Sequence, residues 1–456
     1  MIATSNVLTQ EEITSIATEA YTYGYPLLLM HYTKLVRTNV ESPDDEGHAP
    51  VNQVGRVRTF PDSDFTDVVK PNVDTFYVMA WMDLKAEPQV LTVPSGQTTD
   101  GDRYFLLPIL DAYSNVFASP GTRNPESLGK PCLIVGPNWE GTAPDGMDVY
   151  KSPTNMAWML GRIQVNSAED GETIVYPMQD EITLTPLSEW GNEDYAAPEG
   201  SDSGDYDDPV DTVWNLGFSE YINLMMELMV DNPPNMEWDT DILTKMSMIG
   251  IEAGKTFDIT QFDAETQEAL NDIPDTILGQ WNEEMPKQLV KEGALRHGWM
   301  DILQKMGVFE DDYLKRAFIA YKGLGANIIE DAIYPNVVID SDKQPLVGGV
   351  NYKLTFKKGQ LPPVKAFWSI TAYDDRNLLV PNDLKRYALG DRSDLKVNTE
   401  DESVTIYVQP NSPGADLASN WLPSPASGSM SLTLRLYQPQ DEAMNYTWVP
   451  PYVEQY

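Results

Sequence analysis

The chain has 456 residues, of which 70 are acidic and 31 basic, and its formal charge is −39. A surface this negative repels phosphate backbones and anionic lipid, which excludes charge-driven binding to nucleic acid or to an acidic membrane face. The longest apolar runs, Tyr25–Met30 and Leu106–Leu110, fall far short of the ~20 residues a membrane span needs. With 11 Trp, 23 Tyr and 12 Phe, the chain can still bury a large core. Its length predicts two or three domains of roughly 100–200 residues each.

In chain order, residues 9–37 read as a helix. Thr9 and Glu12 form a capping box ahead of Ile13, Ile16, Ala17 and Ala20. The preceding residues show neither the basic nor the apolar region of a signal peptide. A first β region of 41–190 follows, with strands expected at Thr75–Leu84, Tyr104–Leu110, Leu133–Gly136, Met156–Val165 and Thr173–Tyr176. Residues 191–328 read as an acidic loop and a helical insert. Trp214, Phe218, Tyr221, Ile222, Met225, Met226 and Met229 lie on one stripe there, and further helices are expected at 240–251, 263–279, 281–307 and 310–323. The second β region, 329–456, is predicted to place strands at Tyr352–Phe356, Ala366–Tyr373, Ser403–Gln409 and Ser431–Tyr437. The tail Trp448–Tyr452 is expected to dock on the body.

The two β regions repeat one pattern. An aromatic strand ends in an Asp and Asn turn, a Pro-Asn turn and a Ser-Pro pair follow, and then comes a strand holding an Arg. Pro137 precedes Arg162 by 25 residues, and Pro410 precedes Arg435 by the same 25. This order predicts two copies of a jelly-roll-like antiparallel β-sandwich flanking a helical insert, a mixed but mainly β fold.

The segments Val68–Tyr77, Ala80–Leu84 and Asn115–Arg123 resemble the domain of unknown function DUF1254. Pro362–Thr371, Asn420–Pro425 and Leu434–Tyr437 resemble the domain of unknown function DUF1214. The resemblance spans nearly the whole chain and implies a pair of jelly-roll-like domains. Members occur mainly in bacteria and some large viruses, and many carry an export signal, which implies a periplasmic or secreted protein. The resemblance assigns no catalytic residue. Two departures are visible: Lys70 stands where the family usually has Arg, and Glu402 stands where it tends to have Gly.

Chemistry has few carriers. Cys132 is alone in an apolar run, and His31, His48 and His297 form no metal motif, so a zinc site and a Ser-His-Asp site lack their residues. Carboxylates remain: Asp74, Asp83 and Asp111. Asp74 and Asp111 are the candidate catalytic pair, as general acid and base or as ligands to a hard cation such as calcium or magnesium; each alternatively caps a turn. Asn72, Tyr77, Trp81, Arg103, Asn115 and Arg123 are the candidate ligand contacts. Arg162 and Arg435 read as matching strand positions that hold buried ion pairs or clamp a substrate. These residues point to a small organic or glycan ligand held between the first β domain and the helical insert, with hydrolase- or lyase-type chemistry as its extension. The alternative is a non-catalytic assembly module of capsid, fibre or adhesion type that associates with copies of itself. The acidic excess, spread along the chain, reads as the coat of a salt-tolerant protein.

Overall fold

The computed structural model describes residues 8–66 and 69–456. The fold is mixed, with antiparallel sheets in two halves and a helical layer beside them. The first helix, Gln10–Arg37, starts at the expected capping box: the Thr9 side chain accepts from the Glu12 amide, and the Glu12 carboxylate accepts from the Thr9 amide. Its buried stretch, Tyr21–Met30, is surrounded by the helices Phe218–Asp231, Thr240–Ser247, Ala264–Asn271, Ile273–Lys291 and Tyr313–Gly323.

Each half is built on a larger and a smaller sheet, and the first half adds the two-stranded ribbon Gln97–Thr98 and Gly101–Asp102. In the first half the larger sheet runs Gly55–Val57, Thr75–Asp83, Met156–Gln164, Ile109–Asp111, Val116–Ala118. The smaller runs Asp148–Lys151, Pro131–Val135, Gln89–Thr92, Leu184–Pro186. One apolar core draws on both: Val78, Ala80 and Met159 from the larger sheet meet Leu91, Cys132 and Ile134 from the smaller. In the second half the smaller sheet runs Trp421–Pro423, Val404–Gln409, Tyr352–Phe356, Val453–Gln455. The two smaller sheets share not only order but direction. In each, the first pair is parallel and the other two pairs are antiparallel. In the larger sheets Met156–Gln164 and Ser431–Pro439 are the long central strands, and they carry Arg162 and Arg435.

Several expected elements take another form. Thr173–Tyr176 is helical: Ser167 caps a turn that begins at Ala168, and a wide helical turn carries on through Gly171–Val175 into Tyr176–Glu181. A strong cap and continuous backbone hydrogen bonding there override the β preference of Thr173, Ile174 and Val175. Pro108 splits Tyr104–Leu110 into Phe105–Leu106 and Ile109–Asp111, because it has no amide hydrogen for the ladder. The helix expected over 281–307 ends at Lys291. Beyond it, His297 sits with φ 50° in the turn between two short strands, and its ring stacks on Tyr452. The tail is docked: Trp448 donates to the Gln360 carbonyl, and Trp299 donates to that of Pro451.

Candidate functional site

The two halves meet where the Lys70–Asp74 segment crosses the larger sheet of the second half. Asn72 Oδ1 accepts from the Asp74 amide at 2.7 Å, a local turn that aims the Asp74 side chain across the seam. Ser369 Oγ donates to Asp74 Oδ2 at 2.5 Å, and Arg392 forms an ion pair with Oδ1. Asn72 Nδ2 donates to the Tyr437 hydroxyl at 2.9 Å and to Thr75 Oγ1 at 3.0 Å. Tyr373 donates to the Pro71 carbonyl. Arg435 donates to Thr371 Oγ1 at 3.0 Å, to the Lys70 carbonyl at 3.0 Å and to the Tyr373 hydroxyl. Phe367 stacks on Tyr437 with Tyr104 edge-on, closing the apolar part of the seam.

Lys70 has φ 51°, a left-handed backbone that is strained for a lysine before proline. Burial, then the nearby Arg435 guanidinium, brings its amine down to about 8. Glu402, the other departure from the family pattern, also sits at positive φ, 57°, the conformation for which glycine is suited.

Arg162 lies on the central strand of the larger sheet of the first half. It donates to Asn327 Oδ1 at 2.9 Å and to the Leu160 carbonyl at 3.1 Å, and lies over the Tyr77 ring. Asn327 in turn donates to the Tyr334 hydroxyl at 2.7 Å, and the Tyr334 ring sits 6.2 Å from that of Tyr437. Burial raises the Tyr334 and Tyr437 hydroxyls above their usual range, so both stay protonated. Arg162 and Arg435 are 8% and 4% exposed. Among the described residues, neither makes an ion pair with a carboxylate, unlike Arg103, Arg123 and Arg392.

The other candidate residues lie apart. Arg103 holds Asp170 in a two-pronged pair at 2.6 and 2.7 Å; burial opposes the charge, but the guanidinium brings the Asp170 carboxyl below its usual range. Arg123 Nε donates to Asp331 Oδ1 at 2.6 Å, and Ser119 donates to the other oxygen. Trp81 is stacked on Trp158 at 4.8 Å inside the helical core. Asp111 accepts from the Tyr113 and Asn115 amides at 2.9 Å, which makes it a turn cap, and Asn115 accepts from the Phe309 amide. Burial pushes Asp111 up to about 6, against the pull of the Asn115 hydrogen bonds.

Asp74 and Asp111 are not brought together. The Asp74 carbonyl accepts from Val165, the residue just past the strand Met156–Gln164, whereas Asp111 pairs with Ala157 near the start of that strand. Eight residues at roughly 3.3 Å each put their backbones about 26 Å apart. A glycosidase pair works at roughly 5–10 Å. They cannot share a cation or a proton-transfer step.

Two other places gather polar side chains. A cleft of about 330 Å³ in the helical layer is floored by Trp281 and Tyr313. Its carboxylates, Glu19, Glu284, Asp311 and Asp312, are matched by Lys245, Lys287, Lys305 and Lys315. Asp44, Glu46 and His48 bring ligand atoms within 4.8 Å of one another. There His48 Nδ1 bonds Asp44 at 2.7 Å, and Arg37 donates to Nε2 at 2.9 Å. Two carboxylates and an imidazole beside a guanidinium do not fit calcium or magnesium, which take six or more oxygens. No helix among the described residues is long and apolar enough to cross a membrane.

Sequence reasoning missed Ser369, Arg392, Asn327 and Tyr334. Each reaches the seam only through tertiary packing, so no local pattern marks it.

Among solved structures, the chain resembles the VPA0106 protein from Vibrio parahaemolyticus, at 24% identity and TM-score 0.71, over 97% of this chain and 100% of that one. That likeness shows a shared fold. An uncharacterized protein from Burkholderia cenocepacia aligns at 11% identity and TM-score 0.42, over 98% of this chain and 94% of that one. No curated protein matches. The family model described as Protein of unknown function (DUF1254) matches residues 51–186, and that described as Protein of unknown function (DUF1214) matches residues 331–441. The chain therefore belongs to the family of proteins that join a DUF1254 domain to a DUF1214 domain.

Proposed function

We propose that this chain binds a small organic anion, a carboxylated sugar or related acid, at the seam between its two β halves. One observation carries the reading: Arg162 and Arg435 are buried on the central strands of the two larger sheets with no carboxylate in ion-pair contact, Asp74 reaching Arg435 only through its field, in a chain of charge −39. A buried cation is costly unless an anion compensates it. Neutral hydroxyls and amides of Tyr334, Tyr437 and Asn72 surround the pair and suit the remaining oxygens of such a ligand. Tyr334, 36% exposed, with the partly exposed Tyr77 and Asn72, would form the mouth. The matching sheet orders support a duplicated jelly-roll-like sandwich as the scaffold. Carboxylate chemistry at Asp74 gains no support, since both of its oxygens are engaged.

The test is thermal shift with a panel of mono- and dicarboxylates, sugar acids and inorganic phosphate. A carboxylate is expected to raise the Tm of the wild type and to do so less in Tyr334→Phe and Arg162→Gln. If no acid shifts the wild type, the ligand reading fails. The signature residues Pro71, Asn72 and Asp74, which all bond across the seam, then serve to join the two halves of one chain.

A further inference from the structure

A separate cleft of about 200 Å³ lies where the first helix, the first β half and the helix Phe218–Asp231 converge. It is lined by His31 and Lys34 from the first helix, by Asp83 and Met156 from the strands, and by Glu227 and Leu228 from the insert. Lys85 and Asp231, at its edge, are already paired at 2.7 Å. Among the described residues no ion pair engages Lys34, Asp83 or Glu227; Asp83 Oδ1 accepts from the Lys85 amide at 3.0 Å, and the Asp83 charge acts on Lys34 through its field. His31 and Lys34 are three residues apart on one helix and therefore face the cleft together. One ammonium and one imidazole thus stand among two carboxylates, with Met156 and Leu228 as the apolar wall.

We propose that this cleft is a site for a free α-amino acid with an apolar side chain. Its carboxylate would meet Lys34 and His31, its ammonium Asp83 and Glu227, and its side chain Met156 and Leu228. Charge complementarity decides the class. A simple anion would leave two carboxylates facing it and a simple cation would face Lys34, whereas a zwitterion satisfies both. The volume, below the range for drug-sized ligands, suits so small a molecule. Burial, then Lys34, keeps the His31 ring below its usual titration range, so at neutral pH it offers hydrogen bonds without adding charge.

The experiment is titration calorimetry of the full chain with L-leucine, N-acetyl-L-leucine and L-leucine methyl ester. L-leucine is expected to bind, and each blocked derivative at least tenfold more weakly. Lys34→Met, which keeps the aliphatic stem, and Glu227→Gln, on the exposed helix face, are each expected to weaken L-leucine at least tenfold. Tyr334→Phe, at the seam, is expected to leave its affinity unchanged. No heat with L-leucine at millimolar concentration, equal affinity for the blocked derivatives, or unaltered binding in a folded Glu227→Gln protein would overturn the proposal. None of these outcomes bears on the seam.

Discussion

Asp74 of the first half and Arg392 of the second form an ion pair in which the carboxylate is 2% exposed and the guanidinium 23%. The pair joins two parts of the chain more than 300 residues apart. Removing one member of such a pair strands the other without its compensating charge. Asp74→Ala is expected to cost about 3 kcal/mol, the low end for a buried pair because Arg392 keeps some water. Urea unfolding measures it, and a cycle with Arg392→Met should show the two losses to be less than additive. Strict additivity would mean the pair contributes nothing of its own.

The signature glycine Gly121 has φ 140°, and a β-carbon there would stand 2.6 Å from the Phe105 carbonyl oxygen. Backbone cannot yield as a flexible side chain can. Gly121→Ala is expected to destabilise by about 2 kcal/mol or more and lower the Tm by several degrees. A Tm equal to wild type would show that the Pro120–Arg123 turn adapts freely.

Trp81, a candidate ligand contact by sequence, is packed face to face with Trp158. Trp81→Ala is expected to cost roughly 3–5 kcal/mol through the cavity it leaves. The loss should appear in the absence of any added ligand, which calorimetry of the apo chain will register. A neutral substitution would return Trp81 to the list of surface contacts.

Asp301 is buried, has an oxygen without a hydrogen-bond partner, and is pushed up to about 7 by that burial, against the weaker pull of Arg296. Its folded value lies above its unfolded one, so the native state holds the extra proton between about pH 4 and 7. Stability therefore falls as pH rises through that window and levels off above it. Asp301→Asn removes the charge, and at pH 8 it should stabilise by on the order of 4 kcal/mol relative to its effect at pH 4. Denaturant titrations of both proteins at pH 4, 6 and 8 would show it; a difference constant with pH would refute it.

What was legible in the chain followed from local rules. The capping box at Thr9 and Glu12 placed the first helix to within a residue. Arg162 and Arg435, singled out by the 25-residue spacing, both lie on central strands of the larger sheets, and the two smaller sheets share strand order and direction. Thr173–Val175 misled because β-branched residues say little where a cap and a helix neighbour decide. Arg103, Arg123 and Asp111, candidates by sequence, are taken up by Asp170, Asp331 and the 111–115 turn. The identity of a partner is a property of the folded chain and has no local signal.

The first helix has a consequence for the life of the chain. Its buried stretch, Tyr21–Met30, is made some 300 residues before Tyr313–Gly323, against which it rests. At roughly 5–20 residues per second, that interval is on the order of 15–60 s. During it a run of ten residues, all buried in the finished molecule, waits for the last of the helices that cover it. Early synthesis is thus the period in which this acidic chain most needs a chaperone, and slowing translation late in the message should increase its loss to aggregation.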